Sequence, residues 1–140
     1  MAANGSRFYQ ATAIFSVLFA LAGFSYNVWR MEVSEANAAK REAAFEIMLQ
    51  LAELEHEVYA AHYDQDTVVG NPRRGWVRVG LVRDLSLLAS EPVTLRAQDL
   101  HRVWELSWNQ LTSDRPAADA VVTAIEEVRL EVRELIKSLE

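Results

Sequence analysis

Glu53 and His56 stand three residues apart, the Glu-x-x-His spacing that sets two metal ligands on one helical face. A two-metal site in a helical bundle needs a second such pair and two further inward carboxylates, and the sequence holds no second pair. Leu51, Leu54 and Val58 form an apolar stripe on the same stretch, which turns Glu53 and His56 toward solvent. His62, Asp64 and Asp66 offer another group of ligand types, but histidine near a helix C-terminus and aspartate in a turn are ordinary features of a polar helix end. Cysteine is absent, which removes thiolate nucleophiles, thiolate metal sites and disulfides together. No Ser-His-Asp arrangement or glycine-rich phosphate loop is recognisable. The expectation is a protein without catalytic residues, metal or cofactor.

Two groups remain as binding candidates. His101, Trp104 and Trp108 fall at i, i+3 and i+7 on one helical face. Two indoles beside an imidazole can line an apolar pocket or cage for a small ligand, or fill a core or an interface. Arg73, Arg74, Trp76 and Arg78, following Asn71-Pro72, form the one basic cluster. Free N–H groups at a helix start and guanidinium forks together make a candidate anion site. Arg73 and Arg74 oppose the dipole of a helix N-terminus, so a compensating group is expected, either a bound anion or neighbouring acids.

Charge narrows the partners. Lys plus Arg number 14 against 20 acidic residues, a net charge of -6 over 140 residues. With Arg7 the one charged side chain before Arg30, everything from Arg30 onward carries 13 basic and 20 acidic groups. So acidic a surface excludes nucleic acid as an expected partner and does not adhere by charge to an anionic bilayer face.

These groups must be carried by something, and the first carrier is a membrane segment. Residues 8–29 contain no charge and are bracketed by Arg7 and Arg30. At helical rise they extend roughly 33 Å, against a hydrocarbon core of about 30 Å. Tyr9 at one end and Tyr26 with Trp29 at the other supply interfacial aromatics. The expected division is a short polar leader over 1–7, a transmembrane signal anchor over 8–29 and a bundle domain over 30–140. Ala20-Leu21-Ala22 has the small-x-small form of a leader-peptidase site, so cleavage after Ala22 stands as the alternative to a permanent anchor. A short positive leader before a long C-terminal domain favours a single-pass inner-membrane protein with its domain on the exported, periplasmic side. Arg30, Lys40 and Arg41 argue for the opposite orientation.

Beyond Trp29 no Gly or Pro occurs until Gly70, and good helix formers fill residues 32–61, so the membrane helix is expected to continue to about residues 62–66. Its core stripe is Ile47, Leu51, Leu54, Val58 and Ala61. Asn71 and Pro72 read as the N-cap and first residue of a second helix reaching Ala89, with Leu81, Val82, Leu85 and Leu88 inward. A third helix opens at Ser90 or Thr94 with Pro92 in its first turn and runs to about Leu111, presenting Leu100, Val103, Trp104, Trp108 and Leu111. Ser113 or Asp114 caps the last helix. There Val121, Ile125, Val128, Val132, Leu135 and Leu139 keep a 4-3-4-3-4 spacing that suits a partner helix crossing at about 20°. That partner is either the first helix of the same chain or a second copy, which makes these six the interface candidates.

The predicted fold is all-α, a transmembrane helix continuing into an antiparallel up-down bundle of about four helices. The layout resembles the sensory bundles of bacterial chemoreceptors and sensor kinases, in architecture alone, and implies no activity. The function expected is protein–protein contact by an accessory or assembly subunit in the lipid bilayer, with a protein partner or a second copy. The alternative is a bundle that senses a small ligand or anion.

Overall fold

The computed structural model describes residues 2–139, with side chains from Phe8 to Leu139; the Arg7 side chain, expected to bracket the apolar stretch, lies outside that set. Four helices make up the chain: α1 (Ala2–His62), α2 (Pro72–Ala89), α3 (Glu91–Ser107) and α4 (Arg115–Ser138), with no strand among the described residues. They form two compact units, residues 1–37 and 38–140. The first side chains of α1 buried in the second unit are Ala43 and Ala44.

From Phe8 onward α1 is long enough, and in one unburied stretch near the N-terminus apolar enough, to cross a membrane. Two of its hydroxyls are satisfied within the helix: Thr12 Oγ1 donates to the Phe8 carbonyl at 2.9 Å and Ser16 Oγ to the Thr12 carbonyl at 2.8 Å. This matters in hydrocarbon, where an unpaired polar group is costly. Tyr26 and Trp29 stack with centroids 6.1 Å apart.

In the second unit, residues 38–62 of α1 pack with α2, α3 and α4 around one core. Ile47, Leu51, Leu54 and Val58 come from α1, Val79 and Val82 from α2, Leu100 and Trp104 from α3, and Ile125, Val128 and Val132 from α4. Asn71 caps α2 by accepting the Arg73 N–H at 3.0 Å, with Pro72 in the first turn. Ser90 alone separates α2 from α3, its extended backbone ending one helix and opening the next. Thr94 Oγ1 closes that corner, donating to the Ser86 and Ser90 carbonyls at 2.9 and 3.0 Å. At the opposite end His62 Nδ1 bonds the Leu111 carbonyl at 2.8 Å. The Gln65 amide, on a residue in the left-handed region (φ 54°), donates to the carbonyls of His62 and Thr112 at 2.8 and 3.1 Å. The two connecting loops at that end are thereby tied together. Gly70 lies so close to α1 that a Cβ would stand 2.6 Å from the Ala61 backbone.

Two expectations are corrected, and the α4 stripe finds one of its two expected partners. The inward face of α2 is Gly75, Val79, Val82, Ser86 and Ala89, whereas Leu81 and Leu88 are exposed and Leu85 is half-buried. Small side chains face inward there because α2 approaches α3 closely, and the leucines are displaced to its flank. α3 ends at Ser107 and not near Leu111, which is buried from the following turn. The α4 stripe of Val121, Ile125, Val128 and Val132 is fully buried in the chain's own core, and Leu135 and Leu139 are half-buried. Of the two partners expected for that stripe, the chain's own core covers Val121, Ile125, Val128 and Val132.

Candidate functional site

Trp76 brings the two sequence candidates together. From the first turns of α2 its ring meets three aromatic rings of the α3 segment edge-on, with centroids 5.6 Å from His101, 6.5 Å from Trp104 and 6.4 Å from Trp108. Trp104 is buried, and Trp108 keeps 39 % exposure at the rim. The rings fill one another's space, as edge-to-face aromatic packing does, and Gly75 admits the Trp104 indole against the α2 backbone. The Trp104 Nε1 donor is buried with no hydrogen-bond partner among the described residues.

The arginines beside Trp76 divide. Arg78 donates to Glu57 at 2.9 Å, to Gln50 at 2.8 Å and to Glu53 at 3.4 Å. Arg74 lies 3.3 Å from the same Glu57 oxygen. Arg73 is exposed and has no ion-pair partner among the described residues. The compensation expected for this basic helix start therefore comes from α1, where Glu57 is 3 % exposed. Its second oxygen, Oε2, is buried and unpartnered. The sequence reading did not single out Glu57; it lies directly beside the Leu54–Val58 stripe, and that adjacency was the available signal.

Glu53 and His56 both face solvent, as expected from the stripe. Asp66 closes the loop after α1: its Oδ1 accepts the Val68 and Val69 N–H groups at 2.8 and 3.0 Å. Those two bonds hold its carboxyl below the usual carboxylate range. No group of three or more ligand-type side chains suited to a metal ion occurs among the described residues.

A feature absent from the sequence reading is an open groove of about 780 Å³ between α1 and α2. Phe45 and Leu49 form one wall and Leu85 and Leu88 the other, with Arg41, Glu42 and Glu46 on the rim. Phe45 is 58 %, Leu49 53 % and Leu88 63 % exposed. These large apolar side chains are gathered in one groove and not scattered singly. The groove occupies the end of the bundle where the chain enters at Ala38, α2 turns into α3 and α4 ends, the last marked by the Arg41 bond to the Leu139 carbonyl at 2.9 Å. Compared with known proteins, the chain matches no family model, no curated protein and no solved structure.

Proposed function

We propose that this is a single-pass inner-membrane protein, held by residues 8–29 as a signal anchor, whose periplasmic bundle works by protein–protein contact as an accessory or assembly subunit without catalysis. The observation that carries the reading is the α1/α2 groove, where Phe45, Leu49 and Leu88 stay exposed although the four helices have a complete core. A closed bundle gains nothing in its own stability from such a face, since apolar surface left in water forgoes about 25 cal/mol per Å². The exported orientation rests on the short positive leader and the Ala20-Leu21-Ala22 segment.

Anion or ligand sensing at Arg73, Arg74, Arg78 and the Trp76 cluster is less well supported. Two of its three arginines already hold Glu57, and Trp104 is buried as packing. Amine-reactive crosslinking in native membranes, with light scattering of the detergent-solubilised full chain, tests the contact reading. A covalent adduct or a mass above one chain is expected, and a monomer without any adduct contradicts it.

A further inference from the structure

We propose that the occupant of the α1/α2 groove is the same groove of a second copy, in a two-fold dimer of anchored chains; this rests on the membrane-anchored contact reading above. Three observations converge on it. First, the groove is apolar on both walls, so it is chemically complementary to itself, as a two-fold interface must be.

Second, the groove is lined by charges of both signs that are hydrogen-bonded in part but form no ion pair among the described residues: Glu46 accepts from the Gln50 amide at 2.8 Å. Arg41 bonds a backbone carbonyl and has no carboxylate partner among the described residues, and Glu42 and Glu46 have no cationic one. Across a two-fold axis Arg41 of each copy meets Glu42 or Glu46 of the other. An isologous pair thus gains two crossed ion pairs that these groups do not make with other described residues of one chain. An anionic bilayer surface offers only the wrong sign to Glu42 and Glu46, and to an acidic domain as a whole.

Third, Ala38, at the mouth of the groove, follows Trp29 by nine residues of chain. Two copies anchored in one bilayer are confined to the same membrane. Such confinement raises the effective concentration of one groove for the other without any new contact.

The natural absence of cysteine makes a direct test possible. Single variants Phe45→Cys, Leu49→Cys and Leu88→Cys in the full chain, oxidised in intact membranes, are expected to give a covalent species of twice the single-chain mass. Leu106→Cys, exposed on α3, is expected to give none. Adding Phe45→Asp to Leu88→Cys should abolish the crosslink. Since both side chains are exposed, circular dichroism and thermal midpoint of the double variant should match those of Leu88→Cys.

Absence of the doubled species at all three groove positions overturns the dimer, as does equal crosslinking at Leu106→Cys. Mixed disulfides to a different protein at the groove positions also overturn the dimer while leaving the contact reading standing. No protein adduct of any kind there, together with a single-chain mass in detergent, removes both.

Discussion

Gly75 faces Trp104 so closely that a Cβ on the glycine would fall 2.2 Å from Cη2 and Cζ2 of the indole. That contact sets the spacing of α2 and α3 and determines which face of α2 is inward. Because Trp104 is buried and held by Trp76, the ring cannot retreat cheaply. Gly75→Ala is therefore expected to destabilise the protein by about 1–3 kcal/mol, the usual range for overpacking. Gly80 on the same helix has no neighbour within 4 Å of an added Cβ. Gly80→Ala should stabilise by about 0.5–1 kcal/mol through helix propensity. Thermal or denaturant unfolding of the full chain in detergent, read by circular dichroism, checks the opposite signs.

Glu57 is the anion on which the α1–α2 contact depends. Glu57→Ala takes the closest carboxylate from the largely buried Arg78 and should cost roughly 3 kcal/mol, near the low end for a broken buried pair. The partial retention of Gln50 and Glu53 as partners keeps the cost from the upper end. Arg73→Ala, at an exposed side chain without an ion-pair partner, should change stability by less than about 0.5 kcal/mol. The same unfolding series separates the two arginine-cluster roles, because an anion site would instead make Arg73 matter to binding.

Asp66 predicts a pH dependence. Its carboxyl is lowered by the Val69 and Val68 N–H bonds, so the charged form is favoured in the folded chain. Stability from this group is present above the usual carboxylate range and fades as pH falls through the lowered folded value. The difference in thermal midpoint between the native protein and Asp66→Ala should therefore be largest near neutral pH and shrink toward acid. Asp66→Asn keeps an acceptor oxygen, so the loop should survive with the pH dependence reduced.

The anchor makes its own prediction. The native chain should resist alkaline extraction from membranes, and N-terminal sequencing should find residues ahead of Gly23. A variant lacking residues 2–29 should be released. A C-terminal reporter active only on the exported side should read positive, and protection of the bundle from external protease after outer-layer removal would contradict the orientation.

The starts of α2, α3 and α4 were legible because their signals are local. Asn71-Pro72, Pro92 and Pro116 each punctuate the chain within one turn of a helix start. The 4-3 stripes of α1 and α4 were legible for a similar reason: strict apolar spacing over several turns fixes a buried face. The inward face of α2 was not, because hydrophobicity favoured Leu81, Leu85 and Leu88 while close approach to α3 selected Gly75, Ser86 and Ala89. That selection is a property of two helices together. Glu57 escaped notice likewise, since its partner Arg78 lies 21 residues away on another helix. The groove depends on the register of α1 against α2, which neither stripe encodes alone.

The proposed contact sets the α1/α2 groove against a protein in the same membrane. Its most direct test replaces Leu88 with a photo-crosslinking residue in the full chain and irradiates intact cells, with the same replacement at Leu95 on α3 as the comparison. The account predicts a discrete protein adduct from position 88 and little from position 95. Irradiation that yields lipid adducts alone at position 88, or equal protein adducts at both positions, would contradict it.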